Sequence, residues 1–545
     1  MEPTNGRMLH QQDEGHRITR WHLAGLLAMF LFLTAVREWM LWHSEIIARD
    51  GMVYTAMAQQ WTSHPMQVIR QYDHHAGYPV AIVGMHRLLA VAGLADRPDA
   101  WDLAGGLVSL AASAAALVGL WWWAVKAYDR RVAIAAVLLA GVGRKWAALG
   151  AEVLSDALAI AFQVWSLVLV HSMLQRLSSR RRSAVLLAAG AGLCGGLGYL
   201  VRPESLLIPA VGVVAAAGFQ IRRRLRWRLS LASIAALAGA AAIVALPYMI
   251  AIGGLSKKKD LLELIEDVVF SCTQAMPMAS VAAASLSDWF AQKYINQIFE
   301  AMHPAVAFVV VAWAVAAVWQ RIRPTPALEQ AKLPSSTAGW LMVLYAVPMM
   351  FILLGLRRAH SYLSHRHVMM TALLLTPLGG QGLFVLAGLV RWLAWRGRQR
   401  VPSLSAVAAV LTAVFAAGIL AHNLAYPPHH GKGVYRRAAL DLARQTPADA
   451  VVMADSKWVP YYVAQVDPQR QVVVEPDLEL PAAHLRRQAE LRHASYVVLP
   501  TGKPSHLTPT DAALAAEGLV LWRQYTASDK KVLRVYRVAQ AEVGS

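Results

Sequence analysis

Apolar segments of about twenty residues recur along this chain, and short arginine clusters fill alternate gaps between them. Roughly twenty apolar residues are what a helix needs to cross the hydrocarbon core of a bilayer. The segments fall near residues 21–36, 103–125, 131–142, 151–174, 184–201, 203–220, 229–251, 304–320, 338–356, 368–390 and 403–422. They predict a polytopic α-helical membrane protein with about eleven spans, the stretches 131–142 and 203–220 being short for the purpose. A hydrophobic content of 57% supports this, since globular chains average roughly 45–50% apolar residues.

The clusters Lys126/Arg130/Arg131, Arg176/Arg180/Arg181/Arg182, Arg222/Arg223/Arg224/Arg226/Arg228, Arg321/Arg323 and Arg391/Arg396/Arg398/Arg400 all fall on the side of the tail 1–20, which carries Arg7, Arg17 and Arg20. That is the positive-inside pattern, and it predicts a cytoplasmic N-terminus. Segment 21–36 has the length of a signal-peptide core, but no small-residue cleavage site precedes Arg37 and Glu38, so an uncleaved anchor is expected. The net charge of +19 is explained by these topology signals, and no nucleic-acid partner is expected. Cys194 lies in an apolar segment and Cys272 in a loop, without metal or redox spacing.

The opposite, extracytoplasmic face then carries the first loop (38–102), the turns 144–156, 202–204 and 357–367, the long segment 253–303, and a soluble α/β domain at 426–545. Lys257, Lys258 and Lys259 fit snorkelling as well as function. In the C-terminal domain, helices are expected at 435–445 and 484–492, and strands at 450–453, 472–475, 495–499, 520–525 and 532–538. Asp455 and Ser456 follow the first strand, where α/β folds often place ligand contacts, but no glycine-rich fingerprint accompanies them. A structural or acceptor-positioning role is expected for this domain.

Asp50 opens a candidate interfacial helix, 51–61, as either a helix cap or a base that activates an acceptor. His74 and His75 precede Gly77-Tyr78-Pro79 and another apolar helix, 80–94; neighbours in sequence rarely turn toward one metal ion. Glu152 and Asp156, four apart, would share a helix face at the start of a span, where carboxylates are costly unless they face a polar cavity. Arg202 and Glu204 flank Pro203 between two spans, and Arg366 opens a late one. Each fits a topology role alone; together they place carboxylates and guanidiniums at one membrane level, as a lipid-phosphate substrate requires.

The ordered set Asp50, His75-Ala76-Gly77-Tyr78-Pro79, Leu154-Ser155-Asp156, Tyr199-Leu200-Val201-Arg202-Pro203-Glu204 and Ser364-His365-Arg366 resembles the GT-C glycosyltransferases, over about the first 400 residues. The nearest branch is the protein mannosyltransferase, aminoarabinose transferase and Rgt-like group. The resemblance implies an inverting transfer of sugar from a polyprenyl-phosphate donor to an extracytoplasmic acceptor hydroxyl, with Asp50 as catalytic base. It further implies Arg202, Arg366, Asp156, Glu204, His75 and Tyr78 at the donor. The family's frequent Asp-Glu pair is Asp50-Gly51 here, which disfavours a metal at that point; no cofactor is required, and a divalent cation is left open. The rival class is a transporter or lipid flippase with an outer sensory domain, although no inverted repeat or mid-span acid supports it.

Overall fold

The computed structural model describes residues 20–223, 227–257, 294–323, 325, 333–360, 364–396, 402–475, 481–501, 509–527 and 532–539. The N-terminal tail, Arg224, Arg226, Lys258, Lys259, Cys272, Arg398 and Arg400 lie outside the described residues.

Helix α1 (Arg20–Trp42) is followed by α2 (Arg49–Trp61), α3 (Pro65–Gln71) and α4 (Gly77–Val91), then α5 (Ala100–Ala127), α6 (Arg130–Val142), α7 (Arg144–Leu149), α8 (Ser155–Ser178) and α9 (Ser183–Val201). A 3-10 turn (Pro203–Leu206) leads into α10 (Leu207–Arg223), then α11 (Trp227–Ile252), α12 (Ile295–Met302), α13 (Pro304–Ile322), α14 (Ser336–His360), α15 (His365–Arg396) and α16 (Leu404–Ala425). Among the described residues, ten helices are long and apolar enough to cross a membrane, and the protein is a multi-pass integral membrane protein. The expected eleventh, 131–142, is a helix of only 13 residues, about 20 Å long at 1.5 Å per residue. It breaks at Gly143, and α7 continues the path.

Hydrogen bonds sort the helix ends. At one end Lys126 Nζ donates to Gln175 Oε1 (3.4 Å), Arg131 to Ser405 Oγ (2.8 Å) and the Ser335 amide to the Ala127 carbonyl (2.8 Å). This is the arginine-rich end. At the other, Asn423 Nδ2 donates to the Val142 carbonyl, so α6 traverses the bundle between the two ends despite its length. The first span also runs further than expected: α1 continues to Trp42, and Arg37 lies wholly buried within it, donating to Ser113 Oγ (2.6 Å) and the Leu33 carbonyl (2.7 Å).

The C-terminal domain comprises α17 (Gly433–Gln445), β1 (Val452–Ala454), α18 (Trp458–Ala464), β2 (Val472–Val474), α19 (Ala482–Leu491), β3 (Tyr496–Thr501), α20 (Asp511–Ala516), β4 (Leu519–Thr526) and β5 (Val532–Val538). Its five strands are ordered β2-β1-β3-β5-β4, parallel across β2, β1 and β3 and antiparallel across β3, β5 and β4. Expected strands and helices are present, displaced by up to about two residues, as hydrogen-bonded ends usually are. Helices α18 and α20 are additions to the expected set; each is a single short run without a sustained apolar period.

Two contacts bring the first loop onto the helix ends. A Cβ on Gly51 would stand 2.8 Å from the Val153 carbonyl oxygen, and one on Gly77 would stand 2.5 Å from that of Leu200. Both positions admit the neighbouring backbone only because they lack a side chain.

Candidate active site

Five of the seven nominated residues meet at the end of the bundle opposite the arginine-rich one. Asp50 is the second residue of α2, Asp156 the second of α8 and Arg366 the second of α15. Arg202 sits on extended backbone between α9 and the 3-10 turn that holds Glu204. Helix N-termini favour anions, which suits both aspartates; Arg366 opposes its own helix dipole and is compensated by two carboxylates.

Arg366 is the hub. Its NH1 donates to Asp50 Oδ2 at 2.7 Å, and its Nε and NH2 donate to Asp156 Oδ2 at 3.0 and 2.6 Å. The second oxygen of Asp156 accepts from Arg202, whose Nε donates to Glu204. The Asp156 side chain is 2% exposed and that of Asp50 41% exposed. One carboxylate therefore locks two guanidiniums from beneath, and the other stands at the mouth. Gln163, Tyr345 and His367 join Asp156, Arg202 and Arg366 in lining a narrow recess, with Gln163 donating to Ser205 Oγ (3.1 Å).

Two expectations are corrected, the capping reading of Asp50 and the shared helix face of Glu152 and Asp156. Asp50 does not cap its helix: α2 starts at Arg49, its cap position is Ala48, and no side chain closes it. Glu152 and Asp156 do not share a helix face, because α8 begins at Ser155; Glu152 lies instead 3.7 Å from His429. Tyr78 is fully buried, donating to the Gly105 carbonyl (2.9 Å) and paired with Ser109 Oγ (2.8 Å). The His75 ring packs at 5.2 and 5.3 Å from the rings of Tyr199 and Tyr248. His74 turns elsewhere, edge-on to Tyr54 at 5.1 Å.

Sequence reasoning does not nominate Tyr54, although it lies in the stretch that Asp50 opens. Its hydroxyl pairs with Ser155 Oγ at 2.8 Å, and burial pushes its pKa up to about 12, so it stays protonated beside the ion network. The available signal is its spacing: a polar aromatic four residues after Asp50 is one helical turn away, on the same face.

The chain is a membrane bundle with short helices in its first loop, a carboxylate and guanidinium cluster at one end and an α/β domain beyond the last span, and its fold is GT-C-like. No family model matches the sequence, and no curated protein matches it. Among solved structures, the apo oligosaccharyltransferase of Archaeoglobus fulgidus is similar with a TM-score of 0.55 at 13% identity, covering 96% of this chain and 75% of that one. AglB from the same organism, in complex with an inhibitory peptide and a dolichol-phosphate, gives 0.50 at 13% identity over the same shares. ArnT of Cupriavidus metallidurans in the apo state gives 0.50 at 14% identity, covering 95% of this chain and all of that one (100%). At these identities the likeness is one of fold.

Proposed function

We propose that this protein is an inverting membrane glycosyltransferase that moves a sugar from a polyprenyl-phosphate carrier to an acceptor hydroxyl on the extracytoplasmic side. The observation that carries this reading is Arg366 bridging Asp50 and Asp156, with Arg202 on the other side of Asp156. The dolichol-phosphate held by one structure of the same fold supports a lipid-phosphate donor. A cluster at the bundle end, instead of at its centre, favours an enzyme over a transporter.

In the reaction, the acceptor hydroxyl gives its proton to Asp50 while its oxygen attacks the anomeric carbon. The bond between that carbon and the phosphate oxygen breaks through an oxocarbenium-like transition state. Negative charge grows on the departing lipid phosphate, where the guanidiniums of Arg202 and Arg366 receive it. Asp156 orients both guanidiniums, and Glu204 orients Arg202. The pairing of Asp50 with Arg366 at 2.7 Å describes the resting enzyme, with one carboxylate oxygen engaged. An arriving phosphate that draws Arg366 to itself also frees that oxygen to accept a proton.

A divalent cation does not suit this donor set. Both oxygens of Asp156 are engaged by guanidiniums, Glu204 holds Arg202, and among the described residues no group of three or more His, Cys, Asp or Glu side chains is spaced for a metal. No step is assigned to one.

The C-terminal domain belongs on the site end, hence outside, and the arginine-rich end belongs in the cytoplasm. The function is tested by incubating the purified protein with labelled polyprenyl-phosphate sugars and cell-envelope fractions. Label passing to an envelope component supports it, and label staying on the carrier with every donor contradicts it.

A further inference from the structure

Immediately before Asp50, residues 44–49 cross from α1 to α2 as a strap that the C-terminal domain grips at several points. Glu45 Oε2 accepts from the Gly433 amide at 2.6 Å. The Ile47 amide donates to the Tyr462 hydroxyl at 3.0 Å, and the Ile47 carbonyl accepts from Trp458 Nε1 at 3.0 Å. Ile46, 2% exposed, packs in one apolar cluster with Val434, Val459 and Tyr462. The Arg49 guanidinium lies 5.1 Å from the centre of the Trp458 ring, within cation–π range.

A second grip lies beside the first. The Tyr461 hydroxyl donates to Asp102 at the start of α5, and Gln465 Nε2 donates to its other oxygen at 3.0 Å. Tyr461 stays protonated for this purpose, because burial and the adjacent carboxylate both raise its pKa. From the opposite side, Gly51 is pressed against Val153, in the turn that leads to Asp156. The start of α2 is thus wedged between the C-terminal domain and the turn that precedes α8, and it lacks the side-chain cap that would otherwise define its first turn.

We propose that the C-terminal domain is a positioning device for Asp50, in which Trp458, Tyr461 and Tyr462 hold the strap and the start of α5 so that the Asp50 carboxylate stands at the acceptor. This deepens, and rests on, the assignment of Asp50 as the base. Among the described residues Asp50 has one guanidinium partner, and its side chain is exposed, so its location is set by the backbone that carries it. A shift of about 1 Å in a catalytic group can cost on the order of 10²-fold in rate. Arg202 and Arg366 are anchored on the bundle and do not depend on this grip, so donor affinity should be spared.

The test uses the full-length protein with Trp458→Leu, which removes both the indole donor and the ring under Arg49, and with Tyr462→Phe, which removes one hydroxyl. Hydrogen–deuterium exchange should rise over residues 45–54 in both while the start of α8 keeps its protection. Trp458→Leu should lower kcat about 10- to 100-fold with the donor KM within about twofold. Placed in an Asp50→Asn background, Trp458→Leu should add little further loss, since it acts through a base already removed. Unchanged exchange over 45–54 would overturn the proposal, as would raised exchange with an unchanged kcat, or losses that multiply in the double variant. An Asp50→Asn enzyme that turns over at the parental rate is a distinct result: it removes the base itself, and is seen before any residue of the C-terminal domain is changed.

Discussion

Asp156 and Asp50 contact the same guanidinium from contrasting surroundings. Asp156, 2% exposed at the root of α8, has both oxygens taken by arginines; Asp50, 41% exposed on a loop helix, is bonded to Arg366. A buried carboxylate between two guanidiniums is first a structural element, since removing it strands two charges in a poorly hydrated place. An exposed carboxylate with one partner contributes little to stability and is free to exchange that partner for a substrate. The two halves of the site therefore suit the proposed division of labour, the buried half to set the field that receives a phosphate and the exposed half to handle a proton.

The comparison breaks most visibly at Asp156. Asp156→Ala should cost about 3–5 kcal/mol, the range for removing one partner of a buried ion pair, and appear as a large fall in melting temperature. Asp50→Ala should cost less than about 1 kcal/mol in the same assay. Equal losses would erase the distinction between the halves.

The guanidiniums sharpen it. Arg202→Lys and Arg366→Lys keep the charge but lose the planar fork, and each should lower donor turnover about 10- to 100-fold, as expected for about 1.5–3 kcal/mol of charge-assisted hydrogen bonding. Parental turnover in both would remove them from the phosphate. The smallest effect belongs to Tyr78→Phe. Losing a buried hydroxyl bonded to Gly105 and Ser109 should cost about 0.5–1.5 kcal/mol of stability while the rate per folded molecule holds, and a selective rise in donor KM would return Tyr78 to the donor site.

Four of the five residues that meet, Asp156, Arg202, Glu204 and Arg366, are legible because charge at a span end is costly and needs a reason. Asp50 stands out instead as the acid that opens an interfacial stretch of the first loop. Tyr78 and His75 stand out by their motif, and a motif does not say whether a polar ring points into a site or packs beneath it. The grip of the C-terminal domain is hidden because Trp458 and Tyr462 lie about 400 residues from the strap they hold. Asp102 is the overlooked clue: a carboxylate at the head of an apolar helix, whose partners, Tyr461 and Gln465, come from the other domain.

The central claim is that Asp50 takes the acceptor's proton. Asn preserves its size but accepts no proton at neutral pH, so Asp50→Asn should keep the melting temperature within about a degree or two and lower sugar transfer by on the order of 10²–10⁴. Measured on one preparation, a parental transfer rate in Asp50→Asn, or a loss no larger than its loss of folded protein, would contradict the account.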